Sequence, residues 1–183
     1  MKKAISSFLE IAKIGFFALL LVVGFRFFVF QPFLVKGASM EPNFHNWDYL
    51  IVDEVSYRFR APERGEVIVF KFPHDPSQRY IKRIIGLPGE TVEVKDGQII
   101  ISSHGSVAMV MEESEYLSSD TPGMVMIDLG ENEYFVMGDN RQYSSDSRTW
   151  GSLPENLIIG RVFMRVFPLS AFAKIEHPVY NSL

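Results

Sequence analysis

Three segments of this 183-residue chain gather side chains that could act on a bond. The first is Gly37-Ala38-Ser39-Met40-Glu41-Pro42. Small residues ahead of Ser39 leave room for another backbone to approach the hydroxyl, and Pro42 stiffens the turn behind it. By itself such a serine reads equally well as a solvated turn residue. The second is Arg79-Tyr80-Ile81-Lys82-Arg83-Ile84-Ile85-Gly86-Leu87-Pro88-Gly89-Glu90. Strand alternation puts Lys82 on the face of Tyr80 and Ile84. A lysine in that setting ordinarily lays its stem on the sheet and its ammonium in water. If the ammonium is desolvated instead, its pKa falls and the neutral amine can serve as a base. The third segment, Gly138 through Gly151, packs turn formers, hydroxyls, Asp139, Asp146, Arg141 and Arg148 into one loop after a strand. Composition alone allows that loop to be self-satisfied, its carboxylates accepting from arginines and backbone donors.

What these residues could do is narrowed by what the chain lacks. It has no cysteine, which excludes disulfides, thiol nucleophiles and Cys zinc sites. The four histidines (45, 74, 104, 177) are scattered without metal-ligand spacing, so no metal and no cofactor is expected. A serine hydroxyl needs a base within hydrogen-bond reach. With no well-placed histidine, a desolvated lysine is the available one. The formal charge of −4, with no basic stripe, speaks against a nucleic-acid partner.

The elements that must position these groups read as an apolar N-terminal segment and a β-body. Residues 14–35 are almost wholly apolar apart from Arg26, and long enough to cross a bilayer of ~30 Å. The apolar run is too long for a cleaved secretory signal, and it lacks the polar face of an interfacial helix. Lys2, Lys3 and Lys13 ahead of it favour a cytoplasmic N-terminus, residues 1–13, by a thin margin over Arg26 and Lys36 at the far end. Residues 36–183 would then form an extracytoplasmic, predominantly antiparallel β-domain. Its expected strands are 49–53, 66–72, 80–85, 91–95, 98–102, 133–137 and 158–167, rich in Val, Ile, Phe and Tyr. Asp96-Gly97 predicts a two-residue hairpin turn, and Pro62, Pro73, Pro76, Pro88 and Pro154 are expected between strands. The polar stretch 103–130 reads as a loop or insertion. Even a fully extended chain carries Ser39 no more than ~30 Å from Phe30, which confines the hydroxyl near the membrane surface.

In this order, behind an apolar span, the three segments resemble the type I signal peptidases. Ser39-Met40-Glu41-Pro42 matches the family's Ser-Met-x-Pro motif, and Lys82-Arg83 with Gly86-Leu87-Pro88-Gly89 matches its catalytic lysine and following turn. Gly138 through Arg148 matches its Gly-Asp-Asn-x-x-x-Ser-x-Asp-Ser-Arg box. The resemblance implies a membrane-bound serine endopeptidase that removes signal peptides from secretory preproteins after small-x-small motifs. Ser39 would be the nucleophile and Lys82 the general base. It further implies that Ser144 orients the Lys82 amine, and that the pairs Asp146–Arg148 and Asp139–Arg83 support the site. Gly37 stands where some relatives carry a hydroxyl oxyanion donor, and Asn43 where threonine is common. Met40 and Ile81 flank the dyad and are candidate walls of the substrate pocket. Self-cleaving repressor-type Ser-Lys peptidases have a related fold, but would need a DNA-binding helical domain where this chain has its apolar segment. A membrane-tethered, non-catalytic β-domain is the alternative reading.

Overall fold

The computed structural model describes residues 10–20, 24, 30–103, 108–117, 119–178 and 180. Among the described residues twelve strands build two antiparallel sheets. The larger sheet takes β1 (Phe30–Leu34), β2 (Tyr49–Asp53), β11 (Ile158–Phe167), β3 (Val67–Phe72), β4 (Asp75–Gly86), β9 (Glu133–Met137) and β10 (Leu153–Pro154), in that spatial order. β12 (Ala173–Lys174) adds to β11. The smaller sheet runs β7 (Met109–Val110), β6 (Gln98–Ser103), β5 (Glu90–Lys95) and β8 (Val125–Asp128).

The apolar runs explain why β3 and β4 lie at the centre. In the Val67-Ile68-Val69-Phe70 run of β3, Val67 and Val69 pack with Val35, Met40, Leu50 and Ile81. Ile68 and Phe70 point the other way, into a cluster with Ile84, Tyr134 and Val136. Both faces are covered, so the strand is apolar at successive positions rather than at alternate ones. Each such side chain fully buried contributes roughly 1.5–3 kcal/mol. β4 starts exposed and becomes buried from Ile81 onward. It pairs with β3 from Arg79 to Arg83, whereas β9 joins its other edge only from Arg83. Lys82 therefore sits where β4 enters the core and one strand edge is still open.

The mostly antiparallel β-architecture agrees with the sequence, and the Asp96-Gly97 turn carries positive φ at both residues (50° and 83°). Three expectations need correction. Residues 103–130 are not simply a loop: they supply β7 and β8, which pair with β6 and β5. Pro76 lies inside β4, at a register irregularity, and Pro154 in the two-residue edge strand β10; both are places where a missing N–H is tolerated. The end of the expected span, residues 30–34, is strand β1 on β2. Hydrogen bonding to β2 outweighs continuation of an apolar helix there. Residues 10–20 are helical, while 21–23 and 25–29 lie outside the described residues. Among the described residues no helix is long and apolar enough to cross a membrane.

Candidate active site

The segment from Val35 to Asp48 presents Ser39. Its Met40 and Phe44 are core residues that fasten the loop to the sheet. The backbone on either side of the hydroxyl is held from the third motif: Asn140 N donates to Ser39 O (3.0 Å) and Asn140 Nδ2 to Ala38 O (3.0 Å). Gly37 N donates to Asn46 Oδ1 at 3.1 Å. Gly138 must be glycine, because a Cβ there would overlap both the Ser39 carbonyl and the Ser144 hydroxyl.

Lys82 reaches this hydroxyl across a gap of 43 residues in sequence: Nζ lies 2.7 Å from Ser39 Oγ and donates to Ile81 O at 3.0 Å. The lysine is 3% exposed. Burial lowers its pKa from 10.5 to about 8, against the opposing attraction of Asp146 and Asp139. Those two carboxylates do not hold the lysine fully charged because each already has a guanidinium. Asp139 takes Arg83 in a bidentate pair, Nε–Oδ1 2.9 Å and Nη2–Oδ2 2.6 Å. Asp146 takes Arg148 at 2.9 and 2.8 Å, and also accepts from Gly138 N at 3.1 Å. Burial pushes the Asp146 carboxyl up, but Arg148 and the Gly138 N–H outweigh it and hold the group below its ordinary range. Asp146 also accepts from Arg148 N as N-cap of the one-turn helix Ser147–Trp150.

The structure thus brings together Ser39, Lys82, Arg83, Asp139, Asp146 and Arg148. Two expectations are corrected. The Ser144 hydroxyl makes no hydrogen bond to Lys82, whose donors go to Ser39 and Ile81. It is buried without a hydrogen bond of regular geometry, though near enough to Asp146 to favour the ionised carboxylate. Met40 does not line the cleft beside the dyad: it is 1% exposed and belongs to the core, because its side chain anchors the serine loop. Ile81 does line the cleft, which has a volume of about 700 Å³ and is bordered by Phe33, Leu34, Gly37–Ser39, Gln78–Lys82, Tyr143 and Ser145.

Other supports are not evident from the motifs alone. Asn43 Nδ2 donates to Asp139 Oδ2 (2.9 Å) and to Tyr116 O (2.9 Å). The Tyr116 ring lies 4.1 Å from the Arg83 guanidinium. Buried Arg141 pairs with Glu113 and Thr121, tying the 103–130 stretch to the third motif. The acidic and hydroxyl content of that stretch was the one available signal. Away from the cleft, Glu63, Glu66 and His177 approach one another, but the Glu66 oxygens are occupied by Arg60, Tyr57 and the Glu63 N–H.

A buried lysine on a serine hydroxyl, at an open cleft in an antiparallel β-body, is the arrangement of a serine hydrolase that dispenses with histidine. Residues 8–167 match the family described as signal peptidase, peptidase S26, and the chain belongs to that family. It is 38% identical over 165 residues to the probable signal peptidase I-1 of Synechocystis sp., covering 86% of this chain and 82% of that one. Over 188 residues it is 35% identical to the signal peptidase I of Leptolyngbya laminosa, covering 96% and 88%. The signal peptidase I T of Bacillus subtilis is 33% identical over 175 residues, covering 92% and 90%. By this membership the protein is a serine endopeptidase.

Proposed function

We propose that the protein removes N-terminal signal peptides from secretory preproteins, cleaving after small-x-small motifs with Ser39 as nucleophile and Lys82 as general base. The observation that carries this reading is the 2.7 Å contact between Lys82 Nζ and Ser39 Oγ, with the lysine buried. A neutral Lys82 takes the hydroxyl proton as Oγ forms a bond to the scissile carbonyl carbon. The resulting ammonium gives that proton to the leaving amine as the C–N bond breaks, and water then hydrolyses the ester by the same relay. The Ser39 N–H is the backbone donor for the oxyanion, since Gly37 brings no hydroxyl. Asp139, Asp146, Arg83 and Arg148 fix the walls and carry no proton.

The cleft suits an extended peptide. β1 ends the larger sheet, and β4 has an open edge before Arg83, so two strands with free edges border the cleft. A signal peptide between them would gain backbone hydrogen bonds from both sides. Ile81 and Ala38 line the cleft beside Ser39, as candidate walls for the small side chains before the scissile bond. The helical residues 10–20 expose Ile11, Ile14, Phe16, Phe17, Leu19 and Leu20. Among the described residues nothing in the β-body covers them, and we place them in lipid, as part of a single-pass anchor with the N-terminus cytoplasmic and the catalytic domain outside.

The test is cleavage of a purified preprotein in liposomes by wild type, Ser39→Ala and Lys82→Ala, with sequencing of the new N-terminus. Cleavage by the wild type alone, after a small-x-small motif, is expected. No cleavage by any of the three would favour a non-catalytic tethered domain.

A further inference from the structure

Tyr80 and Lys82 are two positions apart on β4, so both side chains leave the same face of the strand. Lys82 Nζ lies over the Tyr80 ring, 5.6 Å from its centroid. That ring is held by its surroundings. It stacks on Phe72 with centroids 4.7 Å apart and planes at 17°, and it meets Phe70 edge-on at 6.3 Å. Trp150 packs against both phenylalanines at 6.0 and 5.9 Å, joining the cluster to the one-turn helix Ser147–Trp150 at the end of the third segment. The phenol donates to Gln78 Oε1 at 3.3 Å.

Consider the charges that face the lysine. Asp146 and Asp139 attract it, but Arg148 and Arg83 neutralise both. Arg79 and Lys36, at the cleft lining, are cations themselves. When the hydroxyl proton moves to Lys82, a positive charge appears in a buried place where both nearby carboxylates already have guanidinium partners and the developing oxyanion takes its donor from the Ser39 N–H. Besides the Ile81 carbonyl that accepts from Nζ, the Tyr80 face presents negative potential to the lysine, and its attraction grows with desolvation.

We propose that Tyr80, clamped by Phe72, is a positioning residue whose π face stabilises the Lys82 ammonium formed as Ser39 Oγ attacks the scissile carbonyl. This rests on the reading of Lys82 as general base. The proton passes from Oγ to Nζ, the Oγ electron pair forms the new C–O bond, and the ring holds the ammonium until the leaving amine takes the proton. The ring also makes the amine more basic, partly offsetting the effect of burial.

The experiment replaces Tyr80, in the full-length chain in detergent, by Phe, 4-fluoro-Phe, 3,5-difluoro-Phe and 3,4,5-trifluoro-Phe. Fluorine drains the ring's negative face while keeping its shape, so folding is not at stake. The readout is the acid limb of kcat/KM against pH for a signal-peptide substrate, which reports ionisation of the free enzyme. The expected result is a midpoint that falls stepwise with fluorination, corresponding overall to a roughly two- to thirtyfold loss of proton affinity. Tyr80→Leu should lower it too. A midpoint that does not move across the series overturns the proposal. So does a rise in Tyr80→Leu, which would mean that the ring merely keeps water from the lysine. Lys82→Met separates the two levels. If that variant still cleaves, the base reading fails and takes the proposal with it. If it is inactive while the midpoint stays fixed, the ring's role alone is refuted.

Discussion

Lys82 should cost the protein stability at neutral pH, and replacing it by methionine should recover what it costs. The amine titrates at about 8 in the folded chain against an ordinary 10.5, because burial disfavours the charged form. Below pH 8 both the folded and the unfolded chain carry the proton, and the folded state bears the full penalty of a buried ammonium. Between pH 8 and 10.5 the folded chain has released a proton that the unfolded chain still holds, so stability rises with pH through that window. At ~1.4 kcal/mol per pH unit, the contribution is about 3 kcal/mol. The attractions to Asp146 and Asp139 are already contained in it. Methionine keeps the unbranched stem without the charge, and its packing adds an offset that does not depend on pH. Lys82→Met should therefore be more stable than wild type at pH 7 by about 3 kcal/mol beyond that offset, with the excess vanishing by pH 10.5. Urea unfolding of both chains at intervals from pH 6.5 to 10.5 measures the difference directly, and titration of tyrosines cancels in it. A difference that stays flat over this range would refute the reasoning.

Three further outcomes follow from the same contacts. Gly138→Ala should lower kcat by at least ~100-fold while leaving the fold within ~1–3 kcal/mol of wild type, since the new methyl must displace the Ser39 carbonyl or Ser144; peptide cleavage and urea unfolding check the two parts. Asp139→Asn leaves the buried Arg83 guanidinium without its charge partner, and unfolding should register a loss of about 3–5 kcal/mol. Asp146, held below its ordinary 3.8 in the folded chain, contributes stability that is complete above 3.8 and is lost as pH falls through the lower folded value. Acid unfolding of Asp146→Asn should lack that component.

Much of the site can be read from the residues, and what cannot has physical causes. Ser39, Lys82 and the Asp146–Arg148 pair each lie within a short motif, so their roles travel with the pattern; the Asp139–Arg83 pair spans 56 residues between two motifs and was implied by the family resemblance alone. Strand alternation alone places Tyr80 beside Lys82. Asn43 and Tyr116 reach Asp139 and Arg83 across 96 and 33 residues or more, with no periodicity to announce the contact. β7 and β8 are short edge strands in a polar stretch, below the length at which alternation is distinguishable from a loop. Met40 carries the opposite lesson: adjacency to the nucleophile in sequence sends it to the other side of the backbone, into the core. β1 was hidden inside an apolar run because an apolar strand and the end of an apolar helix have the same composition. Ser144 lies in its motif, but hydrogen-bond direction is set by where Lys82 aims its donors, which composition does not specify.

The central claim is that Ser39 Oγ, relieved of its proton by Lys82, forms a covalent bond with the substrate. Rapid acid quench of the full-length protein with a signal-peptide substrate, followed by mass spectrometry of the digest, tests it directly. The expected result is an acyl group on the peptide carrying Ser39, absent in Ser39→Ala and lost in Lys82→Met. An acyl group on another residue, or undiminished cleavage by Ser39→Ala, would contradict it.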